Sequence, residues 1–470
     1  MSNKKRFFNR IYSPEQRRLL PLIFSLSWPM MLQGLVHTLV HYVDYAMLGS
    51  LGATATAAVG SISTVSWMIG SSTSALGVGL VAYISQSMGA GDEQRARRAS
   101  AQSVFIALVV GAVFTAITLG LSNYIPVWMN ASPEIRDDAA AYFFIFYTAM
   151  IPEAVATILG MVLEGARDTK TPMKIAVLEN ALNVVLNYFL IYRTRRVGLF
   201  GAEFTVPGAG MGVRGAALAS SISITLAGVL TLIALFRSKA ISPRGYSLKP
   251  DKKILKPVLG IALPNMLQRL ITSFGYVVFA SMINALGTIS TAAHTVANTV
   301  ESVFYIPGYG MQVAAATLSG NAIGAGDRKQ QRNQAGMIIR LEITMMVLSG
   351  LLLFIFAPVL AGLFTKDPDV IALCSVVLRM VAVSEPFYGV SIVTEGMLQG
   401  AGQTKMPLLF NVCGMWGVRI LGTFICTKLL GFGLTSAWGC MIAHNLLLFV
   451  LFTTYYRRGR WNPLSRASSL

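Results

Sequence analysis

The feature that most restricts the fold of this chain is a series of twelve apolar runs separated by short polar loops. The first run, 19–49, exceeds the roughly 20 residues that a helix needs to cross a bilayer. Because hydrocarbon offers no water to the backbone amides, each run is predicted to be a helix. The predicted spans are 19–49, 55–88, 97–129, 137–163, 172–192, 212–237, 254–285, 290–322, 334–364, 369–398, 406–428 and 432–456. They predict an all-α membrane protein with twelve transmembrane helices.

Composition agrees with this class. The chain is 54% hydrophobic and 12% charged, whereas soluble domains carry about 25% charged residues. Its net charge of +18 does not indicate a nucleic-acid partner, because the cations cluster in the loops between apolar runs. The four cysteines have no metal-ligand spacing, and no cofactor is expected.

The loop cations predict the orientation. Both termini and the loops on their side of the spans contain 28 Lys and Arg residues, and the loops on the opposite side contain seven. The positive-inside rule therefore places both termini in the cytoplasm. The predicted organisation is a cytoplasmic N-terminus (1–18), an N-terminal lobe (19–237), a cytoplasmic linker (238–253), a C-terminal lobe (254–456) and a cytoplasmic tail (457–470).

Four motifs occur twice at one spacing. PMMLQ at Pro29 recurs as PNMLQ at Pro264, and LGATATAA at Leu51 recurs as LGTISTAA at Leu286. The loop GAGD and the segment LEGARDTKTP, which returns as LQGAGQTKMP, have the same offset of 235 positions. The offset predicts two six-span repeats, and an even number of spans gives both the same orientation. Transporters built from such repeats hold their substrate between two lobes.

The first span carries a polar stripe. The residues within about 80° of one helical face, at about 100° per residue, are Gln33, His37, His41 and Asp44. A carboxylate facing lipid is costly, so the stripe must face protein or a wet cavity. In the repeat alignment Asp44 stands opposite Phe279, so the carboxylate belongs to the N-terminal lobe alone. Asp44 is the candidate coupling-ion site, and the other three are candidates for a substrate cavity; alternatively, the stripe only bonds neighbouring helices.

A second polar stripe lies in the fifth span. Asn180, Asn183 and Asn187 are spaced by three and four residues and share one helical face. Asparagine amides suit either a cation or a carboxylate. Asn183 and Asn187 are therefore assigned to the ion site with Asp44, and Asn180 to the cavity. The alternative is that all three bond neighbouring helices.

Other ionisable residues within predicted spans are secondary candidates: Glu301, Glu385 and Arg419. Glu301 can pair with Arg269 or Arg419, and Glu385 with Arg379, which would make these groups structural. Acidic residues near span ends are expected to cap helices or pair with adjacent cations: Asp92, Glu164, Asp168, Asp327 and Glu395. Prolines that are candidates for kinks or hinges are Pro29, Pro152, Pro264, Pro307 and Pro386.

The motifs resemble the multidrug and toxic-compound extrusion (MATE) family of the wider flippase-like superfamily. The resemblance covers 29–455 and rests on the duplicated spans together with VDYAMLGSLG, the GAGD loops, EGARDTKTP, QGAGQTKMP and MGVRGAALAS. It implies that Asp44 matches the family's first-span aspartate. It also implies that Asn183 and Asn187 match a fifth-span asparagine followed four residues later by aspartate. Here the second position is asparagine, a departure from a two-carboxylate site.

The resemblance also favours one branch. The sodium-coupled branch has a seventh-span glutamate and a tenth-span aspartate, where this chain has Thr272 and Gly389. The sequence is more similar to the DinF-like branch, in which the N-lobe aspartate is the main coupling residue. Arg419 in GVRILG matches an eleventh-span arginine of that branch.

The function that the resemblance implies is antiport. Inward movement of H⁺ or Na⁺ is expected to drive export of amphipathic, often cationic compounds, with Na⁺ at Asp44 the one metal ion considered. The protein is expected to be a monomer in the inner membrane, with the bilayer and small-molecule drugs or metabolites as its partners. The alternatives are a lipid-linked saccharide flippase, whose relatives commonly have fourteen spans, and an intramembrane enzyme, which needs a convergent His/Asp or metal constellation.

Overall fold

The computed structural model describes residues 14–199 and 202–466. The parts of the predicted cytoplasmic segments at 1–13 and 467–470 lie outside the described residues. The helices are α1 (Pro14–Gly49), α2 (Ala53–Gly89), α3 (Glu93–Leu121), α4 (Ile125–Trp128), α5 (Pro133–Tyr147), α6 (Met150–Gly165), α7 (Lys170–Leu190), α8 (Gly212–Arg237), α9 (Lys252–Asn284), α10 (Thr288–Phe304), α11 (Ile306–Gly324), α12 (Arg328–Gly362), α13 (Pro368–Ala382), α14 (Glu385–Gly400), α15 (Lys405–Val412), α16 (Leu421–Phe424), α17 (Leu434–Arg458) and α18 (Pro463–Arg466). Two π-helical segments, Cys413–Ile420 and Ile425–Leu429, flank α16.

These helices account for all twelve predicted spans. Among the described residues, eight helices are long and apolar enough to cross a membrane, and the count is ten if each of two bent pairs is one span. The bent pairs are α5 with α6, at 52°, and α13 with α14, at 55°. The fifth predicted span is α7, and the eighth consists of α10 and α11. The chain is an all-α membrane protein with two parallel six-span repeats.

The duplication is visible in local geometry. Asp92 caps α3 by accepting a hydrogen bond from the backbone N–H of Arg95 at 2.9 Å. Asp327, 235 positions later, caps α12 in the same way, from the N–H of Gln330 at 2.8 Å. The bend between α5 and α6 recurs at this offset between α13 and α14. Both acids therefore act as the caps that the sequence predicts.

Proline accounts for the helix breaks. Pro152, Pro307 and Pro386 each lie within the first three residues of a helix that follows a break. Proline has no backbone N–H and crowds the preceding turn, so it begins a helix better than it continues one. By contrast, Pro29 and Pro264 lie within continuous helices. The break at Pro307 is specific to the second repeat, because α2 runs unbroken through the equivalent residues.

The connection between α7 and α8 contains the β-structure of the described chain, which the sequence analysis did not predict. Strands β1 (Arg193–Leu199) and β2 (Ala202–Ala209) form an antiparallel hairpin. The Arg195 guanidinium lies over the rings of Tyr188 and Tyr192, at 4.2 and 4.0 Å from their centroids. These cation–π contacts anchor the hairpin on the end of α7.

The two repeats pack closely at the ends of the helices that carry the GAGD loops, here called the GAGD side. A Cβ atom on Gly89 would overlap the carbonyl oxygen of Asn321, and one on Gly324 would overlap that of Gln86. The two contacts are equivalent, since an offset of 235 residues relates Gly89 to Gly324 and Gln86 to Asn321. The Gln86 amide also donates to the Gly400 carbonyl at 2.9 Å. Glycine at these positions permits backbone contact that closes the GAGD side.

Candidate functional site

A chain of polar side chains joins three helices of the first repeat. Asn187 Nδ2 donates to Asp44 Oδ1 at 2.7 Å and to Asn183 Oδ1 at 3.1 Å. Asn183 Nδ2 in turn donates to Ser220 Oγ at 3.1 Å. The structure therefore brings Asp44 of the first-span stripe together with Asn183 and Asn187 of the fifth-span stripe.

Helical spacing explains the arrangement. Asn183 and Asn187 are four residues apart, so their side chains lie one above the other on a single face of α7. This face is turned inward: Asn183 is 7% exposed and Asn187 is 1% exposed, while Asp44 is half-buried. The Oδ1 atom of Asn187 accepts no hydrogen bond from the described residues. The unsatisfied amide oxygen and the neighbouring carboxylate together are suitable ligands for a cation or a protonated group.

The residues predicted for a cavity in the first repeat have other surroundings. Asn180 Nδ2 donates to the Ala176 carbonyl of its own helix at 2.7 Å, so it does not join the Asp44 chain. His37 and His41 are exposed and stack with centroids 6.3 Å apart. Gln33 Oε1 is buried without a hydrogen-bond partner among the described residues. Gln33, His37 and His41 thus lie on α1 and Asn180 lies on α7, and none of the four is hydrogen-bonded to Asp44 through its side chain among the described residues.

An interior cavity of about 440 Å³ lies mainly in the second repeat. Its polar and aromatic lining residues include Trp67, Gln268, Arg269, Tyr276, Glu301, Tyr305, Tyr309, Tyr388, Glu395 and Asn411. Four tyrosines, a tryptophan and two carboxylates suit an amphipathic cation, because aromatic faces and carboxylates both attract positive charge.

Glu395 is the cavity residue whose role the sequence analysis missed. The prediction that it caps a helix end or pairs with a cation is wrong. Its Oε1 accepts from Gln268 Nε2 at 2.8 Å and from Gln399 Nε2 at 3.2 Å, and its Oε2 accepts from Asn411 Nδ2 at 3.3 Å. Three neutral amides thus hold the carboxylate, and among the described residues it forms no ion pair within 4.0 Å, although Arg269 lines the same cavity.

Three further glutamates lie deep in the second repeat. Glu301 is 3% exposed and accepts a hydrogen bond from the Tyr305 hydroxyl. Glu342 and Glu385 are 0% exposed, and their carboxylate oxygens have no hydrogen-bond partner among the described residues. Glu342, which the sequence analysis did not single out, was recognisable as a carboxylate inside an apolar span.

Small residues make room for the Glu342 side chain. A Cβ atom added to Gly308 would lie 3.0 Å from Glu342 Oε1, and one added to Gly389 would lie 2.6 Å from the same oxygen. No group of three or more His, Cys, Asp or Glu among the described residues is placed to hold a metal ion.

The predicted ion pairs of the second repeat do not form. Arg419 lies over the rings of Tyr276 and Phe279, at 5.2 and 5.4 Å. Arg379 donates to the carbonyl of Phe354 at 3.4 Å. Aromatic rings therefore surround Arg419, whose buried Nε has no hydrogen-bond partner among the described residues, while Arg379 is bonded to a backbone carbonyl.

Comparisons with known proteins give one family. The family model MatE matches residues 29–189 and again residues 264–425. A "Probable multidrug resistance protein NorM" of Thermotoga maritima is 28% identical over 456 residues, which cover 97% of this chain and 96% of that protein. "Crystal structure of MATE in the straight conformation" describes a chain with a TM-score of 0.85 and 25% identity, covering 95% of this chain and 96% of that one. A MOP superfamily transporter from Pyrococcus furiosus has a TM-score of 0.86 at 24% identity, covering 94% and 96%.

Proposed function

Because this chain belongs to the MatE family, and is therefore a multi-pass membrane transporter and not an enzyme, we propose that it is a cation-coupled multidrug antiporter. Inward movement of H⁺ or Na⁺ drives the export of amphipathic, often cationic compounds. The two repeats act as lobes that alternate between access to the two sides of the membrane.

The observation that carries the coupling proposal is the hydrogen bond between Asn187 and Asp44. A carboxylate inside a membrane span is a functional candidate by default. Here its partner is a neutral amide, at 2.7 Å, and not a cation that would neutralise it permanently. Asp44 therefore remains free to exchange its charge with a bound H⁺ or Na⁺. This role agrees with the DinF-like branch.

The contact between the repeats supports alternating access. The backbones of the two repeats lie so close at Gly89 and Gly324 that neither position has room for a side chain. This contact holds the GAGD side closed in this structure. We assign that side to the cytoplasm, because it carries 28 of the Lys and Arg residues. Opening it requires the two glycine contacts to separate together, as expected for rigid lobes that rock against one another.

The cavity of the second repeat supports the substrate class. Its aromatic residues and the carboxylate of Glu395 suit a cation with an apolar body. The curated relative is named for multidrug resistance, which favours drug export over the flipping of lipid-linked saccharides.

Transport by purified protein in vesicles tests the proposal. An imposed proton or sodium gradient is expected to drive movement of a fluorescent cation such as ethidium against its own gradient. Collapsing the gradient with the matching ionophore is expected to stop it. Transport that is independent of both the proton gradient and the sodium gradient would contradict antiport.

A further inference from the structure

A basic groove opens on the GAGD side of the second repeat. It has a volume of about 1130 Å³ and lies between the first turns of α12, the last turns of α17 and the residues that follow α17. The cations that line it are Arg328, Lys329, Arg332, Arg340 and Arg457. Within the described part of the chain, no Asp or Glu lines this groove. Such a surface attracts anions.

The groove changes from basic to apolar along its length. Arg340 lies three turns beyond Arg328, about 18 Å along the helix. Ile343 and Phe449 continue the lining on the membrane side of these cations. Helix α12 has 35 residues and is longer than the roughly 30 Å hydrocarbon core requires. With this side assigned to the cytoplasm, its basic first turns are expected to extend into the headgroup layer and Ile343 to reach the acyl chains.

Buried donors in the groove lack partners. Gln331 is 4% exposed, and its Nε2 has no hydrogen-bond partner among the described residues, although its Oε1 accepts from Asn462 Nδ2 at 2.5 Å. The hydroxyl of Thr453, which also lines the groove, is likewise unpartnered within the described chain. A buried donor without an acceptor is costly. A ligand that carries acceptor oxygens would satisfy both groups.

The equivalent region of the first repeat is filled by the protein itself. Arg97, 235 positions before Arg332, forms an ion pair with Glu93 at 3.5 Å. It also donates to the carbonyls of Lys239 and Ala240, at 2.9 and 3.3 Å, in the linker between the repeats. In the second repeat, arginine replaces the glutamate of this pair, as Arg328. The described chain there turns back on α12 through Asn462, and the groove of about 1130 Å³ lies beside it.

We propose that this groove binds an anionic phospholipid of the cytoplasmic leaflet. The phosphate oxygens lie among Arg332, Arg340 and Arg457, and an acyl chain follows Ile343 and Phe449. Basic pockets between helices at the cytoplasmic face suit lipid headgroups of this charge. A cationic transport substrate is repelled from the same surface. The inference does not depend on the coupling ion or on the exported compound.

Lipid retention by the full chain in detergent tests this site. Native mass spectrometry measures retention of phosphatidylglycerol and phosphatidylcholine with the same acyl chains. The wild type is expected to retain the anionic lipid in preference. The triple variant Arg332→Gln, Arg340→Gln, Arg457→Gln is expected to lose about tenfold or more of that preference, since each cation near a charged membrane surface contributes measurably. The matched control is Lys252→Gln, Lys253→Gln, Lys256→Gln, which removes the same charge from exposed positions on α9 and is expected to behave as wild type.

A second variant tests the space inside the groove separately from the charge of its lining. Gly336 lines the groove, and a Cβ there would meet nothing within 4 Å. Gly336→Phe is therefore expected to fold, to keep every cation and still to lose the anionic lipid. Inorganic phosphate at millimolar concentration is expected not to displace the lipid. Equal retention by wild type, the triple variant and Gly336→Phe would overturn the site, and displacement by phosphate alone would show a free-anion site instead of a lipid site.

Discussion

Asn187 donates a hydrogen bond to Asp44 across 2.7 Å and thereby joins the fifth span to the first. The same amide nitrogen also reaches Asn183, so the position of one carboxylate depends on two asparagines. A charged group inside a membrane is costly unless it is solvated by such contacts. If Asp44 binds the coupling ion as proposed, this relationship links ion binding to the packing of α1 against α7.

Asp44→Asn is expected to abolish gradient-driven export while leaving expression and thermal stability near wild type. The neutral amide imitates the shape of a protonated carboxyl group but cannot exchange a charge. The measurement is export from reconstituted vesicles under a proton or sodium gradient. Asp137→Asn, at an exposed position of α5, is the control. Undiminished export by Asp44→Asn would show that the carboxylate is structural and direct attention to Glu301 and Glu385.

The three asparagines of α7 are expected to differ in effect. Asn187→Ala removes a hydrogen bond to a carboxylate, a contact worth about 1.5–3 kcal/mol, and is expected to lower coupled export by about tenfold. Asn183→Ala acts through Asn187 and is expected to have a smaller effect. Asn180→Ala is the matched control, because this amide bonds its own helix. Equal losses in all three variants would indicate a general packing defect of α7.

Much of this site followed from periodicity, and the remainder depends on contacts between distant segments. The spacing of Asn183 and Asn187 places them on one face of a helix, and a buried carboxylate on α1 supplies the natural partner. The spacing alone does not distinguish Asn180 from Asn183 and Asn187. Asn180 bonds to the Ala176 carbonyl because of its side-chain rotamer, which the spacing does not specify. Glu395 was misjudged because its amide partners come from positions up to 127 residues away.

The fold was predictable to a similar degree. Apolar runs and the offset of 235 predict the spans and their duplication, since the bilayer permits few alternatives to a helix. Proline marks the breaks, although Pro264 shows that a proline can also stay within a continuous helix. In the hairpin formed by β1 and β2, Arg195 contacts Tyr188 of α7 and Tyr192, which follows α7. The residue pattern of a single strand does not reveal such contacts.

A side chain at the glycine contacts is expected to open the GAGD side. Gly324→Val cannot be accommodated against the Gln86 carbonyl without separating the repeats, and overpacking of this kind costs about 1–3 kcal/mol. In a background without the native cysteines, a cysteine at Thr317, which is 0% exposed, is expected to react faster with a soluble thiol reagent. Gly60→Val in α2 is the control, because a Cβ there meets nothing within 4 Å. An unchanged labelling rate would show that the contact does not hold this side closed.

Orientation is testable at two exposed serines. In the cysteine-free background, Ser247→Cys in the linker is expected to react with a membrane-impermeant thiol reagent only from the cytoplasm. Ser132→Cys before α5 is expected to react only from outside. Neither serine caps a helix through its side chain in this structure, unlike Asp92 and Asp327. The reverse pattern would invert the topology and the direction of export.

Glu395→Gln is expected to weaken binding of cationic drugs by about tenfold, in line with the strength of charge-assisted contacts, and to leave neutral compounds of similar size unaffected. The carboxylate lines the cavity and accepts hydrogen bonds from three neutral amides, so its charge is available to a bound cation. Glutamine keeps the volume but removes that charge. Glu134→Gln, at an exposed position on α5, removes the same charge away from the cavity. Dissociation constants of a cationic and a neutral fluorescent ligand, measured beside thermal stability, separate a charge effect from misfolding. An equal loss for both ligands would mean that Glu395 shapes the cavity through its amide contacts and does not select charge.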